Sequence, residues 1–192
     1  RVNYVMDDEA STVIHEAYTD DAKYDDEYDL SKQILGTVEY EGQTYELISK
    51  SGSAVSGTVK GDVEITLVYS LDADEDTTPD KYEATVTYEV VNGTFAEGET
   101  TVTQEYVLAE ENEEDGTWTE ATRYLENIPV PTANEGYGNG GWDVTPTTET
   151  VVEDGAKYTY TYTANDQTLR VNYVMDDEAS TVIHEAYTDD AK

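Results

Sequence analysis

The segment Asp72–Glu83 carries side-chain carboxylates at a spacing that could bind a metal ion. When Asp72 is counted as position 1, acidic residues fall at positions 1, 3, 5, 9 and 12; they are Asp72, Asp74, Asp76, Asp80 and Glu83. An EF-hand loop supplies ligands from these positions, and Ca²⁺ prefers such hard oxygen donors. Position 6 is Thr77, where an EF-hand has glycine. The spacing leaves two interpretations open: a calcium site that stiffens the chain, or a plain flexible acidic linker.

A second candidate for ligand binding is an aromatic pair. Tyr137 and Trp142 flank residues 138–141, and three of those four residues are glycine. Aromatic side chains exposed on such a segment can stack on sugar rings. Alternatively, the glycines let the chain turn tightly while Trp142 fills the hydrophobic core, because large aromatic side chains dominate core burial. The sequence leaves both interpretations open.

The histidines and carboxylates do not form a recognisable catalytic pattern. His15 and His184 occur in the same Ile-His-Glu context, in the middle of a strand pattern whose polar positions face solvent. A glycosidase needs two carboxylates held across a deep cleft, one of them with a raised pKa. Small modules have little volume for such a cleft. We therefore predict that the chain is not an enzyme, has no catalytic residue and requires no cofactor.

The net charge excludes several classes of partner. Ten Lys and Arg against 44 Asp and Glu give a formal charge of −34 over 192 residues. A nucleic-acid backbone binder needs a basic patch, so nucleic acid is not an expected partner. The chain has no cysteine, which excludes disulfides and thiolate metal sites. It has no run of 18 apolar residues, so we predict no direct membrane insertion.

Alternation of apolar and polar residues predicts a mostly β fold with minor helix. We assign residues 1–71 to a first module, module A, with strands at Val2–Met6, Thr12–Tyr18 and Val63–Tyr69. Asp20–Leu35 is the only stretch of this module that could hold a helix.

The second half of the chain shows the same kind of pattern. Residues 72–80 form the acidic linker, and residues 81–166 form module B. Module B begins with a strand of strict period two at Tyr82–Val90 and closes with another at Lys157–Ala164. We predict a short helix at Trp118–Glu126.

An internal duplication is the most informative feature. Residues 1–23 recur without a change as residues 170–192. Packing does not demand identity at surface positions, so identity indicates copying of a whole unit, as in a tandem array. We therefore predict that residues 167–192 begin the next copy of module A. Neighbouring repeats of the same chain are then expected partners.

Three segments of module A carry a family resemblance. They are Val2–Glu9, a strand followed by an acidic turn; Gly52–Thr58, a turn of small residues; and Asp62–Tyr69, the closing strand. Together they resemble the mucin-binding-protein (MucBP-like) repeat of Gram-positive cell-surface adhesins. The resemblance implies a β-grasp-like module, an extracellular location, and attachment to the cell wall through parts of the parent protein outside this chain. It also implies host mucin or glycoprotein glycans as partners.

Module B is similar to a second surface repeat of gut Firmicutes. The matching segments are Val90–Phe95, Gly140–Val144 and Tyr158–Tyr162. The resemblances imply two tandem β-grasp-like modules in an elongated repeat, and an immunoglobulin-like sandwich is the alternative for module B.

The resulting functional prediction is a non-enzymatic repeat of a cell-surface adhesin. Two roles stay level: binding mucin glycans, and serving purely as a stalk or spacer. A structural protein of a salt-adapted organism is the rival, because excess acid keeps a protein hydrated and soluble.

Overall fold

The protein has a mostly β fold in a computed structural model that describes residues 1–176 and 182–191. Strands account for 54% of the residues and helical turns for 5%, with no helix of seven or more residues in this described part. The prediction of a mostly β fold with minor helix is confirmed. Within the same residues, no helix is long and apolar enough to cross a membrane.

The strands are labelled in chain order. They are β1 Val2–Met6, β2 Val13–Tyr18, β3 Glu27–Asp29, β4 Thr37–Tyr40, β5 Gln43–Gly52, β6 Ser56–Thr58, β7 Ile65–Asp72, β8 Glu83–Val91, β9 Gly93–Thr94, β10 Thr101–Val107, β11 Ala109–Asn112, β12 Thr117–Glu120, β13 Thr132–Ala133, β14 Tyr137–Trp142, β15 Ala156–Ala164, β16 Gln167–Val174 and β17 Val182–Ala191. Short 3-10 turns occupy Ser31–Gln33, Asp80–Tyr82 and Ala96–Gly98.

The chain forms two compact units that are not contiguous in sequence. The first unit contains residues 1–85, 105–124 and 151–155. The second contains residues 86–104, 125–150 and those from 156 onward. The division of the sequence into module A (residues 1–71), an acidic linker (72–80) and module B (81–166) stays a prediction.

A five-stranded sheet forms the centre of the first unit. Its strand order is β2-β1-β7-β5-β4, with β1 parallel to β7 and the other pairs antiparallel. The alternation that predicted the closing strand also sets its buried face, because Ile65, Leu67 and Tyr69 are at most 1% exposed. Val2 and Tyr4 of β1 pack into the same core. The strand begins at Ile65, two residues later than predicted, and extends to Asp72.

The predicted helix at Asp20–Leu35 is wrong. This segment holds only β3 and a single 3-10 turn. Strand β3 pairs with β6, and the Leu30 N–H donates to the Val55 carbonyl oxygen. Backbone N–H and C=O groups of this segment therefore form hydrogen bonds with residues distant in sequence, where a helix would have paired them locally. The β-grasp assignment, which expects a helix between the first hairpin and the glycine-containing turn, stays a prediction.

A second hydrophobic cluster of the first unit uses a hairpin from later in the sequence. Strands β11 and β12 pair with each other, and Ala109 packs with Ile48 and Tyr82. Trp118 of β12 stacks on Tyr82 with ring centroids 5.7 Å apart. The predicted helix at Trp118–Glu126 is therefore also wrong, because its first residues are strand.

A four-stranded sheet organises the second unit. Its order is β10-β8-β15-β14, with β15 parallel to β8 and antiparallel to β14. The predicted period-two pattern again matches burial, since Val86 and Tyr88 are fully buried and Val90 is 6% exposed. Strands β9 and β13 form a short ladder, and β16 pairs with β17.

Candidate functional site

The acidic segment of the first unit is a closed loop between two strand ends. Strand β7 ends at Asp72 and β8 begins at Glu83, and a 3-10 turn at Asp80–Tyr82 leads into the second strand. Asp72 is 1% exposed, whereas Asp74 and Asp76 are exposed. The loop therefore has one buried carboxylate at its base and others near its surface.

Backbone hydrogen bonds hold this loop in shape. The N–H groups of Asp76 and Thr77 donate to the Asp72 carboxylate at 3.2 and 3.0 Å, and the Ala73 N–H donates to Asp80 Oδ1 at 2.8 Å. Thr77 has a φ of 81°, a left-handed conformation that glycine favours. It lies at position 6, where an EF-hand has glycine to make a sharp turn.

The loop brings all five predicted ligand residues into two overlapping groups. Carboxylate oxygens of Asp72, Asp74 and Asp80 lie within 4.8 Å of one another, and so do those of Asp74, Asp76 and Glu83. Two ligands on opposite sides of one Ca²⁺ are separated by about 4.6–5.2 Å, twice the usual Ca–O distance. Each group therefore has dimensions that one ion can bridge, and Asp74 belongs to both.

Loss of hydration and the neighbouring negative charges both raise the pKa of two of these carboxyl groups. Loss of hydration, followed by the charge of Asp76, raises the pKa of Asp74 above its usual 3.8. Loss of hydration also raises the pKa of Glu83 above 4.5, with further contributions from the charges of Asp76, Asp74 and Asp80. A cation bound among them would oppose both effects.

The nearest lysine in the sequence does not neutralise the loop. Lys81 Nζ pairs with Asp7 Oδ2 at 2.9 Å, and it lies 5.2 Å from the ring centroid of Tyr82. None of the ion pairs found in residues 1–176 and 182–191 involves the five loop carboxylates. No Lys or Arg in the described part of the chain therefore forms an ion pair with the negative charge of the loop.

The aromatic candidates of the second unit lie at opposite ends of β14. Trp142 is half-buried and meets Tyr160 and Tyr88 edge-on, with centroids 5.1 and 6.2 Å apart. Tyr137 is half-buried and pairs with Ala164 at the other end of the strand. Trp142 is thus part of an aromatic cluster on the sheet, whereas Tyr137 has no ring contact among the aromatic pairs found in the described residues.

His15 is exposed and lies in β2. Its ring is 4.7 Å from that of Tyr4, and its Nδ1 lies 2.9 Å from the Glu16 carbonyl oxygen. These are contacts of a strand residue on the solvent face, and the absence of a catalytic residue stays a prediction.

The first unit also has an open cavity that the sequence did not predict. It has a volume of about 440 Å³ and is lined by Tyr18, Asp20, Asp62, Glu64 and other residues. These residues lie at the end of β2, just after it, and just before β7, and the pairing of β1 with both β2 and β7 brings them together. The sequence alone does not show which strands pair, so it could not predict this cavity.

No protein-family model and no curated protein matches the chain. The resemblance of module A to mucin-binding repeats therefore stays a prediction.

Proposed function

We propose that this chain is a non-enzymatic tandem repeat of a bacterial cell-surface adhesin, which extends the parent protein away from the cell wall. The observation that supports this proposal most strongly is that residues 1–23 recur unchanged as residues 170–192. The described strands of the two hairpins also pair in the same register. Repeat proteins stack or string copies of one unit, so a repeated first hairpin is expected where a second copy starts.

We further propose that the loop Asp72–Glu83 binds calcium. Two overlapping groups of three carboxylates, each within bridging distance and without an ion pair to a described Lys or Arg, supply the hard oxygen donors that Ca²⁺ prefers. The ion would supply positive charge between the ends of β7 and β8 and so hold this part of the repeat rigid. Asp74, which belongs to both groups of ligands, is the residue on which binding should depend most.

Calcium binding is tested by urea unfolding of the chain in Ca²⁺ and in chelator. At a calcium concentration about 100 times Kd, the first unit should gain about 2.7 kcal/mol of stability. Asp74→Asn should abolish this gain, whereas the matched control Asp166→Asn, an exposed position outside the loop, should keep it. An equal gain in wild type and Asp74→Asn, or no gain in wild type, contradicts the proposal.

Binding of mucin or host glycoprotein glycans is the second candidate, supported by the resemblance and by the half-exposed rings of Tyr137 and Trp142. The charge of −34 opposes it, because mucins carry sialate and sulfate. Binding would therefore need neutral sugars or a bridging cation. A purely structural spacer needs neither.

Capture on immobilised mucin separates these roles. We would compare the chain with Ca²⁺ and with chelator, alongside Tyr137→Ala and the control Tyr124→Ala, which removes a tyrosine that is 48% exposed elsewhere. Binding lost with chelator supports a cation-bridged adhesin, and binding lost only in Tyr137→Ala supports stacking of a sugar on Tyr137. No binding by the folded wild type leaves the spacer role.

Stability measured in low salt and in molar salt distinguishes an adhesin repeat from a structural protein of a salt-adapted organism. An adhesin repeat should stay folded at physiological ionic strength, whereas a protein adapted to molar salt should lose structure there.

A further inference from the structure

Each of the two larger sheets has a parallel strand pair at its centre. In the first sheet, β1 and β7 lie side by side and are flanked by β2 and β5; in the second, β8 and β15 are flanked by β10 and β14. Strand β1 pairs with β7 over five residues, and β8 pairs with β15 over six. In both sheets, this pair joins the first strand of the sheet along the chain to the last.

This arrangement decides how a stretching force acts on each pair. The chain enters the first strand at its amino end and leaves the last strand at its carboxyl end. Because the two strands are parallel, these points lie at opposite ends of the ladder, so tension along the chain pulls one strand lengthwise past the other. The hydrogen bonds of the ladder then carry the force together. In a hairpin pulled at its open end, by contrast, the bonds break one after another.

Backbone hydrogen bonds continue the first ladder at both of its ends. At one end, the Ile65 N–H donates to the Arg1 carbonyl oxygen at 3.0 Å. At the other end, the Asp7 N–H donates to the Tyr69 carbonyl oxygen at 2.9 Å. The ladder is therefore continuous along the whole of β1.

Side chains of β1 and β7 also oppose sliding. Leu67 and Tyr69 are 0% exposed and Tyr4 is 1% exposed. The Tyr4 hydroxyl donates to the Gln33 carbonyl oxygen at 2.9 Å, and the Tyr69 hydroxyl donates to the Leu35 carbonyl oxygen at 2.7 Å. A slip of one residue would turn these buried side chains to the opposite face of the sheet. The ladder and the hydrophobic core must therefore fail together.

The second parallel pair is built in the same way. Val86 and Tyr88 are fully buried, and Tyr158 is 8% exposed. Tyr88 lies opposite Tyr158 in the ladder, and their rings stack with centroids 5.6 Å apart. The Gly155 N–H donates to the Thr85 carbonyl oxygen at 2.9 Å and so continues this ladder beyond its first residue pair.

We propose that the two parallel pairs are mechanical clamps, which keep the repeat folded when tension is applied along the chain. The further function is therefore to bear load between the cell wall and the parts of the parent protein that the repeat extends. This role rests on the proposed function as an extending repeat. The clamps themselves are a property of the fold and are independent of calcium and mucin binding.

Single-molecule pulling of the full chain in two directions tests the first clamp. The chain has no cysteine, so two introduced cysteines fix the points at which force is applied. Arg1→Cys with Ala73→Cys applies force at opposite ends of the β1–β7 ladder, which is the shear direction. Arg1→Cys with Asp62→Cys applies force at one end of the same ladder, which peels the strands apart. All three positions are exposed.

The shear pair should unfold at a force at least about twofold higher than the peel pair at the same loading rate. The reason is that the same hydrogen bonds break together in one direction and singly in the other, and forced unfolding follows the unfolding rate under load. The roughly 70 residues between the shear handles should extend to about 230–250 Å, which identifies the event. Pulling in chelator removes any contribution of calcium.

The second clamp is tested with a matched design. Thr85→Cys with Asp166→Cys loads the β8–β15 ladder in shear, and Thr85→Cys with Glu153→Cys peels it from one end. These three positions are exposed as well. The same excess of shear force over peel force is expected. Urea unfolding of all four variants shows whether their equilibrium stabilities match, so that a difference in force reflects direction alone.

Equal forces in the two directions, or a lower force in shear, would overturn the proposal for variants of matched stability. Unfolding of the shear pairs in many small steps would also overturn it, because the bonds would then not act together. Neither result bears on capture by mucin, which is measured without tension. Failure of the clamps and failure of the adhesin assignment are therefore distinguishable.

Discussion

The same valine should contribute very differently to stability in the two copies of the hairpin. Val2→Ala removes two carbon atoms from a side chain that is fully buried in the core of the first unit. At about 0.8 kcal/mol for each buried carbon, and with a contribution from the resulting cavity, the free energy of unfolding should fall by about 2 kcal/mol. Val171→Ala, at a site 48% exposed, should change it by no more than about 0.5 kcal/mol.

Urea unfolding followed by tryptophan fluorescence measures this difference. Trp118 packs on Tyr82 in the first unit, and Trp142 lies in the second, so a Trp142→Phe background makes the signal specific for the first unit. All variants would be compared at the same low protein concentration. Equal losses from the two alanine substitutions would refute the reasoning, because local sequence would then matter more than burial.

Three further predictions concern charge and packing. Asp115→Asn should destabilise the protein at neutral pH, and the difference in stability should be lost as pH falls towards 2. The reason is that hydrogen bonds from Lys50 and Thr117 hold the folded-state pKa of Asp115 at about 2, below its usual 3.8. Unfolding at several pH values measures this. Gly140→Ala should cost about 1–3 kcal/mol by thermal unfolding, since a Cβ there would overlap neighbouring tyrosine rings, whereas Gly141→Ala meets nothing within 4 Å and should be neutral. Stabilisation by Ca²⁺ at the Asp72–Glu83 loop should fade as pH falls through the raised pKa values of Asp74 and Glu83, because protons compete with the metal; a pH series of unfolding midpoints measures this.

The strands were predictable because their pattern is local. Val2–Met6 was predicted with the bounds that the structure has, and the faces of β7 and β8 follow from alternation along each strand. The two predicted helices failed for the opposite reason. Pairing of β3 with β6 holds the segment Asp20–Leu35 in place, and stacking on Tyr82 holds Trp118. In each contact the two partners are far apart in sequence, so local pattern does not show it.

The candidate metal site shows the same division. Ligand spacing identified all five carboxylates that the loop brings together. Spacing could not show that Asp72 is buried and receives two backbone hydrogen bonds, because these depend on the end of β7 and on the turn at Thr77. Nor could ligand spacing show that Lys81 forms an ion pair with Asp7 and not with a carboxylate of the loop.

The most direct test of the tandem-repeat account is amide hydrogen exchange on an extended chain. A copy of residues 24–71 would be appended after residue 192, and exchange would be compared at Val171–Val174 with and without the extension. The account predicts fast exchange without it, and with it protection equal to that of Val2–Val5, because the second hairpin would then have its own sheet to complete. Exchange that stays fast in the extended chain would contradict the claim that residues 170–192 begin a second repeat.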